Sequence, residues 1–137
     1  MSITYQVVAI GTVRSPLTDR AQAPKQGREG APNAWLELEP AYREAARDLE
    51  VGEEVLILTW FHRADRLVLQ THPRDDESIP LTGIFSTRSP DRPNPIGIHR
   101  VRILQIVDGL RLHVSALEAI DGTPIVDLKP VLDESEG

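Results

Sequence analysis

The chain has 137 residues, 40% hydrophobic and 26% charged, and carries a formal net charge of −6. With no cysteine it has no disulfide, thiolate metal ligand or cysteine nucleophile, and its acidic balance lacks the broad positive field that indiscriminate nucleic-acid binding needs. One domain over 1–137 is expected, in the cytoplasm: no apolar run approaches the roughly 20 residues of a membrane span, and the Met-Ser-Ile-Thr-Tyr-Gln start is not a signal peptide.

Residues 3 to 13 are mostly β-branched and apolar and predict a first strand, with Gly11 marking a bulge or a close backbone approach. Arg14-Ser15-Pro16 ends it, and a Pro-, Gly- and Gln-rich loop occupies 17–34. A short half-exposed strand follows from Trp35 to Glu39. Pro40 then fits the first turn of a helix over Ala41 to Leu49, closed by Gly52. Glu54 to His62 reads as a buried strand, Leu67 to Thr71 as another, and Leu81 to Ser86 as a lead into the next motif.

Ile98 to Val107 and Leu110 to Ala116 flank Asp108-Gly109, a two-residue hairpin signal. In the second arm Leu110, Leu112, Val114 and Ala116 alternate with Arg111, His113 and Ser115, which assigns one face to the core. Ile120 to Lys129 supplies a last turn and strand, before an acidic tail over 133–137 that is expected to be mobile. About seven strands, one short helix and long loops predict a mainly β protein, a small antiparallel β-barrel.

The most constrained stretch is Thr87-Arg88-Ser89-Pro90-Asp91-Arg92-Pro93-Asn94-Pro95-Ile96-Gly97. Its prolines fix φ near about −65° and remove three backbone donors, so neither a helix nor a central strand runs through it. Arg88, Arg92 and Asn94 sit on this stiff backbone and lose little entropy when they engage a ligand. Arg100 and Arg102, further on, read as ordinary surface arginines. A local basic site on an acidic body suits a specific anionic ligand or one RNA segment.

Other chemistries are weaker. His62, His72, His99 and His113 lack helical zinc spacing, although His62 and His72 could meet across strands with Asp75 or Asp76 in a metal hydrolase. His113 reads as an exposed strand residue. Ser86 and Ser89 lack a nucleophile-elbow context, and nothing fixes the separation of Glu118 and Asp121 for glycosidic chemistry. No glycine-rich phosphate loop occurs, and a doubly wound fold would need more helices.

The run from Gly83 to Gly97, together with Ile10-Gly11-x-Val13-Arg14-Ser15-Pro16 and the segment Asp121-Gly122-Thr123-Pro124-Ile125-Val126-Asp127-Leu128-Lys129-Pro130, resembles the TsaA-like family over nearly the whole chain. The best-understood members of that family are tRNA methyltransferases that use S-adenosylmethionine to methylate N6 of threonylcarbamoyladenosine next to the anticodon. The resemblance implies a homodimeric β-barrel with the donor bound among loops near the dimer interface, and no metal, DNA or membrane. It implies donor contacts at Pro24, Lys25 and Gln26, at His62 and Arg63, at Arg88, at Ile98, and at Ser115, Ala116, Leu117 and Glu118.

Within that reading, methyl transfer is an in-line displacement that depends on positioning, and the urea-like N6 must shed its proton. Asp121 or His62 could accept it. Arg88 or Arg92 could hold the threonyl carboxylate, Arg88 nearer the donor and Arg92 nearer the acceptor, while Asn94 suits an adenine edge or a donor carbonyl. Long bacterial members carry a further C-terminal domain, so a short form is expected to grip tRNA by the barrel dimer alone. Two other readings share the donor: methylation of a small non-tRNA acceptor, and a non-catalytic S-adenosylmethionine-binding module.

Overall fold

The computed structural model describes residues 2–19 and 30–132. Among the described residues eight strands form: β1 (Gly11–Arg14), β2 (Ala34–Leu38), β3 (Glu54–Trp60), β4 (Gln70–Thr71), β5 (Thr82–Gly83), β6 (Ile96–Val107), β7 (Arg111–Val114) and β8 (Pro124–Pro130). Six of them close into a barrel in the order β1-β2-β7-β6-β3-β8, while β4 and β5 pair separately as a ribbon. Every pairing is antiparallel.

The side-chain alternation of each strand sets which face turns inward. In β2, Ala34, Leu36 and Leu38 are buried while Trp35 and Glu37 face outward. In β6, Gly97, His99, Val101 and Ile103 are buried and the residues between them are not. Leu36, Ile57, Ile103, Leu112, Leu117 and Ile125 are sealed from solvent at the centre, each worth about 1.5–3 kcal/mol of burial. β6 serves two neighbours: its first half pairs with β3 and its second half with β7, with a register shift between Ile103 and Gln105. That irregularity bends the strand around the barrel.

Asp108 and Gly109 take positive φ (56° and 70°) and join β6 to β7, as the hairpin signal predicts. Gly11 is also explained: a Cβ there would lie 2.5 Å from the Glu37 carbonyl oxygen, so β1 approaches β2 where only glycine fits.

Several expectations are corrected. The helix over 41–49 is not an α-helix but two 3-10 turns, Pro40–Tyr42 and Glu44–Ala46. The segment buries only Ala46 within those turns, so too little packing offsets the cost of nucleating a longer helix. The first strand starts at Gly11, because β8 pairs only with Gly11 and Thr12; Ile3, Tyr5, Val7 and Val8 have no strand to lie against and are exposed. The segments 67–71 and 81–86 contribute only the two-residue β4 and β5, followed by a 3-10 turn at Ile84–Ser86. Their apolar residues Leu67, Leu69, Leu81 and Phe85 stand in solvent. The tail 133–137 and Pro24, Lys25 and Gln26 lie outside the described residues.

Candidate functional site at one end of the barrel

Antiparallel closure sends alternate strand ends to the same rim. β1 leaves the barrel at Arg14, β3 at Trp60 and β7 at Val114, while β2 enters at Ala34, β6 at Ile96 and β8 at Pro124. The pairs Arg14↔Trp35, Ala34↔Val114, Trp60↔Ile96 and Thr12↔Pro124 join neighbouring ends, while Val114 lies opposite Ile103 and the segment after it runs back along β6 from Ser115, beside Arg102, to Glu118, beside His99. The connections after β3, β5 and β7, and the described ends of the one after β1, therefore open on this rim, and among the described residues they contain every candidate named for methyl transfer but Ile98. Ile98 sits just inside it, on the outward face of β6. The opposite rim has the two 3-10 turns, the 108–109 hairpin and a cleft lined by Leu38, Tyr42, Leu49 and Leu128, and carries none of them.

The proline motif is tied to the connection after β3. Phe61 N–H donates to the Pro95 carbonyl (2.8 Å) and Asp65 N–H to Asp91 Oδ1 (2.8 Å). Arg66 donates to the Pro93 carbonyl (2.7 Å) and to Asn94 Oδ1 (3.0 Å), with its guanidinium carbon 5.1 Å from the Trp60 ring centre. Asn94 thus has its side-chain oxygen engaged within the protein.

Arg92 turns onto its own loop. Nη1 donates to the carbonyls of Thr87 (3.0 Å) and Ser89 (3.2 Å), and Nη2 to that of Ile84 (2.8 Å). A planar cation collecting three carbonyls fixes the backbone from Ile84 to Ser89. Arg92 thus shapes its own loop through both terminal nitrogens. Arg88, between the Thr87 and Ser89 carbonyls that Arg92 binds, is exposed, and its side chain makes no hydrogen bond or ion pair among the described residues.

Asp121 is likewise engaged: its Oδ1 accepts from Ser15 N–H (3.1 Å) and its own N–H donates to Leu17 O (2.6 Å), pinning the turn after β1. His62 is exposed beside Arg63, whose Nη1 reaches the Thr18 carbonyl at 3.4 Å. Of the two candidates for taking a proton, His62 is the more accessible. Arg14, also on this rim, is held above the ordinary arginine range, first by its hydrogen bond to Glu37 (2.7 Å), so its charge is already paired.

In the connection after β7, Ser115 N–H donates to Arg102 O and Ser115 Oγ accepts from Arg102 N–H. Ala116 is half-buried. Leu117 is fully buried and donates its N–H to Pro32 O, so it acts as an anchor. Glu118 turns inward, where Oε1 accepts from His99 Nδ1 at 2.5 Å; His99 Nε2 in turn meets Thr59 Oγ1 at 2.7 Å. His99, Thr59, Phe61 and Arg66 belong to none of the sequence motifs that single out the other residues of this rim. The signal for His99 was present: it falls in the buried phase of β6, where its neighbours in phase are glycine, valine and isoleucine.

The residues weighed for a metal hydrolase do not assemble. His72 Nδ1 bonds the Ile79 carbonyl (2.9 Å), and Asp76 is held below its ordinary value by hydrogen bonds from Ser78. Among the described residues no group of three or more His, Asp or Glu side chains is placed to hold a metal. Arg100 and Arg102 pair with Glu54 on the outer face, as ordinary surface arginines do.

Residues 12–136 match the family described as the tRNA-methyltransferase O N-terminal domain. A probable S-adenosyl-L-methionine-binding protein of Methanothermobacter thermautotrophicus is 39% identical over 125 residues, 91% of this chain and 88% of that protein. The tRNA (adenine(37)-N6)-methyltransferase of Escherichia coli is 34% identical, covering 97% of this chain and 60% of that protein. The crystal structure of TrmO from Pseudomonas aeruginosa superposes with a TM-score of 0.75 at 33% identity, over 98% of this chain and 58% of that one. The chain therefore spans about three-fifths of the length of these two larger proteins.

Proposed function

Because this chain belongs to the family of tRNA-methyltransferase O N-terminal domains, we propose that it is an S-adenosylmethionine-dependent N-methyltransferase acting on tRNA, at N6 of threonylcarbamoyladenosine 37. The observation that carries this reading is the convergence at one rim of the proline motif, His62-Arg63 and the 115–118 segment, which lie far apart in sequence. Their chemistry fits a zwitterionic donor: Arg88 offers an exposed cation for a carboxylate, and Glu118 an anion for ammonium or hydroxyl hydrogens. S-adenosylmethionine, when bound, supplies an electrophilic methyl group on a sulfonium.

The protein's own contribution is placement and proton handling. Arg66 and Arg92 hold the proline wall in one shape, which keeps reacting groups aligned. His62 takes the proton that N6 must lose, and Arg88 pairs with the carboxylate of whichever partner approaches that wall. The Asn94 NH₂ faces the acceptor base. Leu67, Leu69, Leu81 and Phe85, exposed together on the loop excursion beside this rim, support a homodimer in which a second copy covers them close to the site. A cytoplasmic location fits the substrate.

Calorimetric titration with S-adenosylmethionine in metal-free buffer tests the donor, with saturable binding expected and its absence overturning the reading. Mass spectrometry of tRNA from a deletion strain tests the acceptor. Loss of methylated threonylcarbamoyladenosine is expected; unchanged tRNA in a strain whose protein binds the donor would redirect the search to a smaller acceptor.

A further inference from the structure

We propose that His99 is a positioning residue for the methyl donor: it grips one oxygen of Glu118 so that the other is presented to a hydroxyl or ammonium group of the ligand. This rests on the reading that the donor lies against residues 115–118. His99 is only 3% exposed and belongs to the inward face of β6 with Gly97, Val101 and Ile103. A polar ring placed among aliphatic neighbours is unfavourable unless its nitrogens are bonded. Both are, to Glu118 Oε1 (2.5 Å) and to Thr59 Oγ1 (2.7 Å).

The bonding pattern assigns one hydrogen. A carboxylate only accepts, so Nδ1 carries a hydrogen toward Glu118, while Nε2 shares a hydrogen bond with the Thr59 hydroxyl. The Phe61 ring meets His99 edge-on (centroids 5.8 Å apart, planes at 86°) and limits rotation of the imidazole. Thr59, His99 and Glu118 thus form a chain from the barrel interior to the rim. The Glu118 side chain is 16% exposed; Oε2 makes no hydrogen bond among the described residues and is not sealed from solvent. A carboxylate clamped by one oxygen and open at the other has lost its rotamer freedom before a ligand arrives, which favours binding. A valine or leucine at position 99 would fill the barrel as Val101 does, without desolvating a polar chain.

The two amide variants separate positioning from mere packing. In His99→Asn the amide nitrogen falls near Nδ1 and still donates to Glu118, whereas in His99→Gln it falls near Nε2 and reaches only Thr59. Both should melt at lower temperature than the wild type. Calorimetric Kd for S-adenosylmethionine should stay within about threefold in His99→Asn and weaken about tenfold in His99→Gln, as expected for loss of one charge-assisted bond. Equal weakening in both amide variants, or undisturbed affinity in a folded His99→Gln, overturns the proposal. If His99→Gln does not fold, Glu118→Gln decides: about tenfold weaker binding supports the assignment and unchanged binding overturns it. Methylthioadenosine, which lacks the amino-acid end, locates the contact. A deficit shared with this ligand puts Oε2 on the ribose, and one confined to S-adenosylmethionine puts it on the ammonium. Absence of donor binding in the wild type would instead remove the donor reading itself.

Discussion

Arg66 and Asn94 are joined by a hydrogen bond from Nη2 to Oδ1 at 3.0 Å, and the same guanidinium donates to the carbonyl of Pro93. One side chain from the connection after β3 therefore fixes the tip of the proline motif, whose missing N–H groups cannot fix it. Arg66→Ala is expected to lower stability by about 0.5–1.5 kcal/mol, since its bonds are exposed. Hydrogen exchange should show faster opening at Asp91 and Asn94 while Val101 and Ile103 stay protected. Unchanged exchange at the motif would show that the prolines suffice.

Arg92 shapes the loop through three carbonyls, so its removal should be felt in folding as well as in binding. Arg92→Ala should cost about 1–3 kcal/mol by urea denaturation, because three acceptors lose a charged donor. Arg92→Lys should recover little, as an ammonium cannot span the planar fork. Donor affinity and acceptor KM should worsen together. A selective acceptor defect at wild-type stability would return Arg92 to direct contact.

Arg88 should behave in the opposite way. Its side chain is exposed and makes no hydrogen bond or ion pair among the described residues, so Arg88→Ala should leave stability within about 0.5 kcal/mol. Methyl transfer or donor binding should nonetheless fall at least about tenfold, the usual consequence of removing a charged ligand contact. Comparing the melting curve with the titration checks both halves.

Gly97 leaves the space that Phe61 and Thr59 occupy; a Cβ there would collide with the Phe61 ring and with Thr59 Oγ1. Gly97→Ala should overpack the barrel and cost about 1–3 kcal/mol. Phe61→Leu in the same chain should recover part of that loss in thermal melts. Additive destabilisation in the double variant would place the strain elsewhere.

Glu54 binds β3 to β6 through Arg100 (2.9 Å) and Arg102 (3.2 Å), and its carboxyl is held below the ordinary value of 4.5, first by the Arg100 hydrogen bond. The folded state then takes up this proton less readily than the unfolded chain. Its stabilisation is full above 4.5 and is lost as pH falls through the lowered value. The stability gap between wild type and Glu54→Gln should thus be flat at neutral pH and shrink on acidification, as read from urea midpoints. The gap should be small and should fall with added salt, because the group is solvent-screened.

The barrel class was legible because period-two alternation survives in single strands: Leu110, Leu112 and Val114 turn inward as their pattern requires. The Asp108-Gly109 turn was legible because so few residue pairs accept positive φ at both positions. The 41–49 segment was misread because propensity cannot say whether a neighbour will cover a helix face. For the site, the proline motif announced itself through backbone stiffness, yet the direction of its arginines did not.

By itself, then, the sequence determined the strand faces, the stiff wall from Thr87 to Gly97 and the family resemblance, since these depend on residues close along the chain. Only the tertiary structure decided that Arg92 faces inward, that Arg66 anchors Asn94, and that His99 clamps Glu118. Those relations depend on which strand ends share a rim, and closure of the barrel sets that through pairings between distant segments.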